Sequence, residues 1–216
     1  MASTETTSLA SRTTRQRILD AASTEFANWG FEGARVDEIA LRAGVNKALL
    51  YYHVGNKQAL YTAVLMRNFD RVERALADSM TDAGSARDRL SALIATITRM
   101  MKEHPDHPRI VLREFASAGG NLTPEVLERM VRVLGTVRGI LTKGVESGEF
   151  RGTDPVMTHL TLIGASLVLS AVAPLRNRAA EIRSDIRFPD DEADVAGFLA
   201  DLLLHGIAAP RTGEAI

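Results

Sequence analysis

Residues 36–57 read VDEIALRAGVNKALLYYHVGNK, and this stretch decides the fold. Its apolar residues recur at helical spacing on both sides of Gly44, which lacks a Cβ and can form a sharp turn between two short helices. Four side chains are expected to be buried between these helices: Ile39, Ala40, Val45 and Leu50. The pattern is typical of a helix-turn-helix, whose second helix can enter a DNA major groove about 12 Å wide.

Outside this stretch, nearly every segment also shows apolar spacings of three and four, and period-two alternation is scarce. The chain is therefore predicted to be all-α. The expected helices cover residues 15–29, 36–43, 47–53, 57–80, 86–103, 109–118, 124–146, 155–173 and 192–207. Eight of the first 14 residues are Ser or Thr, so residues 1–13 are predicted to form a disordered arm.

Composition narrows the possible functions. The 216 residues are 45% hydrophobic and 25% charged, which is typical of a globular protein. The absence of Cys excludes disulfides, thiolate zinc sites and cysteine nucleophiles. The N-terminus shows no apolar signal segment, so a cytoplasmic location is expected. Residues 12–57 carry seven basic and five acidic groups, and this small excess of +2 means that any nucleic-acid contact must be local.

Three motifs carry a family resemblance. TRQRILDAA at residues 14–22 precedes AGVNK at 43–47 and LYYHVGNK at 50–57. Together they resemble the N-terminal domain of the TetR/AcrR family of bacterial transcriptional regulators, over about 50 of the 216 residues. The resemblance implies a three-helix helix-turn-helix domain at 14–57, joined to a larger helical ligand-binding and dimerisation domain at 58–210, with about nine helices in all.

The same resemblance implies how the protein would act. The family's members bind a near-palindromic operator in double-stranded DNA as homodimers, and a small-molecule effector releases them. We therefore expect a ligand-responsive regulator, with repression as the expected mode. The alternative is a helical small-molecule carrier or enzyme that keeps the N-terminal fold without using it on DNA.

The resemblance also assigns the DNA contacts. Positions that read base edges correspond to Lys47, Ala48 and Tyr51, and positions that contact phosphates correspond to Tyr52, His53 and Lys57. The chemistry is compatible, because Lys47 can donate to guanine and Tyr51 offers a flat face to a thymine methyl. As an isolated pair, however, Tyr51 and Tyr52 would more often be core aromatics.

Two residues depart from the family pattern. Arg35 and Leu49 stand where the family commonly has hydroxyl side chains that contact phosphate. Arg35 could restore that contact with a longer, charged donor. Leu49 cannot, so it is expected either to meet a thymine methyl or to pack inward.

An effector pocket is expected among the helices of residues 86–173. Its candidate apolar lining is Met100, Met101, Phe115, Leu134 and Met157, and its candidate polar anchors are Arg113, Arg138 and His159. Methionines at helical spacing are more often core residues, and Arg113 with Glu114 more often forms a structural ion pair.

The resemblance places a four-helix dimer interface on the last two helices. The candidate contacts are Leu160, Ile163, Leu167 and Val172 on one helix and Val195, Phe198, Leu199, Leu202 and Ile207 on the other. The apolar run at 160–175 is too short to cross a membrane and contains hydroxyl residues, so no membrane partner is expected.

Signs of catalysis are scarce. The sequence has no glycine-rich phosphate loop, no Gly-x-Ser-x-Gly and no His-Glu-x-x-His, so no catalytic residue and no cofactor are predicted. The run His104-Pro105-Asp106-His107 could supply metal ligands, but a proline-rich break between helices explains it as well. No metal site is predicted.

Overall fold

The computed structural model describes residues 13–80, 84–182 and 192–207, and the elements in these ranges are all α-helices. They are α1 (Thr14–Gly33), α2 (Val36–Ala43), α3 (Lys47–Val54), α4 (Lys57–Met80), α5 (Ala86–Glu103), α6 (Asp106–Ala116), α7 (Pro124–Glu146), α8 (Pro155–Ala171), α9 (Ala173–Ile182) and α10 (Glu192–Ile207). The predicted all-α class is confirmed. The predicted arm at 1–13 lies outside the described residues except for Thr13, the N-cap of α1.

Local sequence signals set the boundaries of the first three helices. Thr13 and Gln16 form a reciprocal capping box at the start of α1, and Gly30 breaks that helix with a φ of 69°. Gly44 ends α2 in the left-handed conformation, with a φ of 67°. Asn46 then starts α3 by accepting a hydrogen bond from the backbone N–H of Leu49 at 2.8 Å. The turn at Gly44 is therefore the one that the sequence predicts.

The N-terminal core crosses the predicted domain boundary. Ile18, Phe26, Ile39 and Leu50 are fully buried within residues 14–57, and the other two predicted helix contacts, Ala40 and Val45, pack around them together with Ala43. The same cluster includes Tyr61 of α4, Ile110 of α6 and Val126 of α7. Residues 14–57, which we call the N-terminal head, therefore pack directly on the helices that follow.

A second core fills the C-terminal part of the chain. It is built by α5, α7, α8 and α10 around Leu93, Ile94, Val137 and Leu162, with α10 lying along α5. None of the helices in residues 13–80, 84–182 and 192–207 has both the length and the apolar content needed to cross a bilayer.

Several helix boundaries differ from the sequence prediction: α1 ends at Gly33 rather than at residue 29, and α6 ends at Ala116 rather than at residue 118. Helix α6 begins at Asp106 rather than at residue 109, because Pro108 falls in the first turn, where a proline needs no N–H donor. The predicted helix at 155–173 divides at Val172, and α9 continues from Ala173 to Ile182. The sequence pattern predicted no helix over α9.

Candidate functional sites

Helix α3 presents most of its side chains to solvent. Leu50 is completely buried and anchors the helix, whereas Tyr52 is 84% exposed and Tyr51 is 40% exposed. Lys47 and Ala48 are also exposed. Leu49 is 39% exposed, so it does not pack inward. We call the surface formed by Lys47, Ala48, Leu49, Tyr51 and Tyr52 the α3 face.

Lys47 begins the α3 face beside an acidic residue of α2. Its Nζ lies 3.0 Å from Oδ1 and 3.2 Å from Oδ2 of Asp37. This hydrogen bond, together with the carboxylate charge, raises the pKa of Lys47 above its ordinary value. Lys47 therefore keeps its positive charge near the N-terminus of α3.

The other candidate DNA contacts surround this face. The Nζ of Lys57 donates to the backbone oxygen of Glu32 at 3.1 Å and lies 5.0 Å from the ring centroid of Phe31. The ring of His53 is 5.4 Å from that of Tyr52, edge to face. Arg35 is exposed at the start of α2. Lys57 would have to leave its carbonyl partner to reach a phosphate.

A mainly apolar cavity of about 200 Å³ lies among α4, α5, α6, α7 and α8. We call it the central cavity. Four of the candidate ligand residues line it: Met100, Met101, Phe115 and His159. Phe69, Val111 and His107 line it as well, although the sequence pattern did not single them out for this role.

The other four candidate ligand residues do not line the central cavity. Met157 is 63% exposed, Arg138 is exposed and Leu134 is half-buried on α7. The guanidinium of Arg113 donates to the backbone oxygens of Ala27 at 3.1 Å and Asn28 at 2.7 Å, and so binds the end of α1. These side chains lie on the surface or in contacts between helices. Sequence spacing alone did not distinguish such positions from cavity-lining ones.

Glu114 also differs from its expected role as the partner of Arg113. It is 3% exposed, and its Oε1 accepts from the hydroxyl of Tyr61 at 2.6 Å and from Nδ2 of Asn121 at 3.1 Å. Burial, together with this carboxylate partner, raises the pKa of Tyr61 well above its ordinary range. Arg113 and Glu114 thus connect α6 to two different helices.

Two histidines that line the central cavity contain unpaired polar atoms. Nδ1 of His107 and Nδ1 of His159 are both shielded from solvent and have no hydrogen-bond partner among the described residues. Burial lowers the pKa of His107 to about 4, and burial also lowers the pKa of His159. Both imidazoles are therefore neutral near pH 7.

The residues around His107 do not form a metal site. Oδ2 of Asp106 accepts from the hydroxyl of Thr24 at 2.8 Å, whereas His107 lies against Phe69 with ring centroids 6.3 Å apart. Across the part of the chain that the structure describes, no group of three or more potential metal ligands is found.

A larger polar cleft, of about 690 Å³, separates α1 from α4 and the start of α6. Its side chains bind each other across the gap. NH1 of Arg67 lies 2.8 Å from Oδ1 of Asp20, and NH2 of Arg67 donates to the backbone oxygen of Leu19 at 3.0 Å. His107 lines this cleft as well as the central cavity.

The structure corrects part of the candidate dimer set. Leu167, Val195, Leu199 and Ile207 are at most 9% exposed and pack in the C-terminal core of the same chain. Ile163 and Val172 are half-buried. The exposed members are Leu160 at 53%, Phe198 at 63% and Leu202 at 56%.

Comparison with known proteins gives two family matches. The family model "Bacterial regulatory proteins, tetR family" matches residues 18–64. The model "Tetracyclin repressor-like, C-terminal domain" matches residues 83–169. The first match contains the helix-turn-helix, and the second covers most of the helices around the central cavity.

Curated relatives match over most of their length. The chain is 28% identical over 197 residues to the HTH-type transcriptional repressor NicS of Pseudomonas putida, which covers 90% of this chain and 92% of that protein. It is 30% identical over 165 residues to the HTH-type transcriptional repressor SCO4008 of Streptomyces coelicolor, covering 76% and 82% of the two chains.

Solved structures share the whole fold. The ketosteroid transcriptional regulator KstR2 of Mycobacterium tuberculosis aligns with a TM-score of 0.72 at 19% identity, over 92% of this chain and 97% of that one. AibR, solved in complex with isovaleryl coenzyme A and operator DNA, aligns with a TM-score of 0.69 at 20% identity, over 89% and 98%.

Proposed function

The chain belongs to the tetR family of bacterial regulatory proteins, and on that premise we propose that it is a transcriptional repressor that a small-molecule effector releases from a near-palindromic operator. The family consists of DNA-binding regulators, so the protein is a regulator and not an enzyme. We place it in the cytoplasm, where it has access to the bacterial chromosome. Residues 14–57 are proposed to bind DNA and residues 58–210 to bind the effector and form the dimer.

The observation that carries the proposal is the α3 face. A helix held by one fully buried residue, Leu50, leaves the rest of its length free to enter a groove. Lys47 brings a charged donor, while Leu49 and Tyr51 bring apolar surface suited to thymine methyls. Lys57, His53 and Arg35 are proposed to contact the phosphates that flank such a helix, and contacts of that kind fix its register.

Dimerisation would give the operator its symmetry. Two copies related by a two-fold axis present two α3 helices to successive major grooves, about 34–36 Å apart. The exposed apolar residues Leu160, Phe198 and Leu202 on α8 and α10 support an interface at this end of the molecule.

Helix α6 supports a route from effector to DNA. His107, Val111 and Phe115 are spaced by four residues, and this face of α6 lines the central cavity. The same helix contacts the N-terminal head through Asp106 with Thr24 and through Arg113 with the carbonyls at the end of α1. A ligand that displaced α6 would therefore displace α1 and change the spacing of the two heads.

Such a ligand must bind the two conformations with unequal affinity, because tight binding alone shifts no equilibrium. AibR, a structural relative, was solved with both isovaleryl coenzyme A and operator DNA, which supports a fold that can hold an effector and DNA on one chain.

The direct test is fluorescence anisotropy with duplexes from the region upstream of the protein's own gene. We expect saturable, sequence-selective binding that Tyr51→Ala makes less selective. The control is Val131→Ala, which removes an apolar side chain that is 65% exposed on α7 and should leave binding unchanged. Equal affinity for upstream and scrambled duplexes would contradict the proposal.

A further inference from the structure

The central cavity contains a specific combination of side chains. Its walls are Phe, Val, Ile, Leu, Met and Gly residues, and its polar side chains are the imidazoles of His107 and His159. The described residues that line it include no Lys, Arg, Asp or Glu. An ionised ligand placed inside would thus lose its hydration without gaining an opposite charge.

The two imidazoles lack partners that buried polar groups normally have. Nδ1 of each ring is shielded from water and unpaired among the described residues. A ligand in the cavity reaches these shielded atoms once the ring turns about its Cβ–Cγ bond, and pairing then removes the free-energy cost of a buried polar atom without a partner. A neutral imidazole carries one donor and one acceptor nitrogen, and a hydroxyl group can pair with either.

The volume limits the ligand's size. An apolar cavity of about 150 Å³ is known to hold benzene. The central cavity, at about 200 Å³, therefore has room for one ring with a short substituent. A long acyl chain or a nucleotide would extend beyond it.

We infer that the effector of this regulator is a compact, uncharged, mainly apolar molecule carrying a hydroxyl group, held in the central cavity by hydrogen bonds to His107 and His159. This inference rests on the proposed function, since it names the ligand class of that same site. A ligand bound to His107 would also act on the start of α6. His107 lines the polar cleft against α1, and it follows Asp106, the partner of Thr24. A hydroxyl bound there pulls on the part of α6 that contacts the N-terminal head.

The test uses three probes of similar shape on the purified, DNA-free protein: para-ethylphenol, para-ethyltoluene and the anion para-ethylbenzoate. Calorimetric titration and thermal shift measure their affinities. We expect the phenol to bind about threefold to tenfold more tightly than the hydrocarbon, since one added hydrogen bond is worth about that factor. The benzoate should bind more weakly than either. A hydrocarbon that bound as well as the phenol, a benzoate that bound best, or a failure of all three to bind at millimolar concentration would overturn the inference.

Variants then assign the hydrogen bonds. His159→Phe and His107→Phe keep an aromatic ring and should bring the affinity ratio of phenol to hydrocarbon close to one. A Cβ at Gly164, which lines the cavity, would meet no atom within 4 Å, so Gly164→Leu should fill the space and weaken both probes. Gly139→Leu is the matched control, because Gly139 is an exposed helical glycine with equally open surroundings outside the cavity. An unchanged ratio in both Phe variants would rule out the histidines as hydrogen-bond partners of the ligand. If a variant does not fold, the affinity ratio of the wild type still tests the ligand class.

The proposed function and the proposed ligand class can be contradicted independently of each other. Selective operator binding without selectivity for the phenol would leave the proposed function intact and overturn the ligand class. Selective phenol binding without operator recognition would do the reverse. If the phenol binds and also weakens operator binding in the wild type but not in Gly164→Leu, both are supported.

Discussion

Lys47 on the α3 face has an acidic partner in the free protein and would need a different partner when bound to DNA. In the free protein it pairs with Asp37, and a DNA-bound Lys47 has to exchange that carboxylate for a base or a phosphate. Both side chains are exposed, so the ion pair contributes little to stability and mainly holds Lys47 in place. Asp37 also places a negative charge next to the α3 face.

Removing the Asp37 carboxylate, which competes with DNA for Lys47, should strengthen DNA binding. We predict that Asp37→Asn tightens operator binding about threefold at low salt, because Lys47 is released and one repulsive charge disappears. Glu38→Gln is the matched control, since it removes the same charge from a neighbouring exposed position on α2. Anisotropy titrations at several salt concentrations measure the effect. If both variants tightened binding equally, the Lys47–Asp37 contact would have no specific role.

His107 makes the folded state sensitive to acid. The pKa of its imidazole is about 4 in the folded protein because of burial, whereas an unfolded histidine has a pKa of about 6.5. Between these values the unfolded chain binds a proton that the folded chain excludes, so stability falls as the pH decreases through this window. Burial lowers the pKa values of His104 and His159 too, and these residues act in the same direction.

We predict that lowering the pH from about 7.5 to about 5 reduces the free energy of unfolding by up to about 2 kcal/mol through His107. His107→Phe should show a shallower dependence on pH in urea unfolding, while the exposed His205→Asn should follow the wild type. Parallel stability curves for His107→Phe and the wild type would show that this imidazole is protonated equally in both states.

At the scale of elements, helix boundaries were easier to predict than helix neighbours. The caps at Asn46 and Gly44 act within a few residues of sequence, so α2 and α3 could be placed directly. Which helices lie next to each other depends instead on tertiary packing. Leu167 and Leu199 lie on apolar stripes that suit either a dimer interface or a core, because both bury the same residue types, and the structure places them in the core. The sequence likewise could not show that His107 faces an apolar cavity, since the walls come from five helices.

Helix α6 packs against both cores, and an Arg113 variant tests its contact with the N-terminal head. We predict that Arg113→Met, which keeps much of the apolar stem but loses two hydrogen bonds to the end of α1, destabilises the protein by about 1 kcal/mol and weakens operator binding severalfold. Arg109→Met removes the same charge from an exposed position of the same helix and is the control. Urea unfolding and anisotropy provide the measurements. Identical midpoints and affinities for the two variants would mean that α6 does not hold the N-terminal head.

At the scale of the whole molecule, the N-terminal head is not an independent module. Ile110 and Val126 complete its core, and the Tyr61–Glu114 hydrogen bond is buried at the same junction. A head packed in this way contacts α4 and α6, which also line the central cavity. The spacing of two heads in a dimer therefore depends on how α6 and α4 pack, which is the quantity that an effector could change.

That spacing requires a dimer, and we propose that the exposed apolar residues of α10 form its interface. Phe198 and Leu202 lie one helical turn apart and are both more than half exposed, so they can pack against a symmetry-related copy. We predict that Phe198→Asp yields monomers and weakens operator binding by about a hundredfold or more, because each head then binds its half-site without the effective concentration supplied by its partner. Val131→Asp, which places the same charge at an exposed apolar position of α7, should leave the dimer intact. Light scattering gives the mass and anisotropy gives the affinity, and a Phe198→Asp protein that stayed dimeric would place the interface on another face.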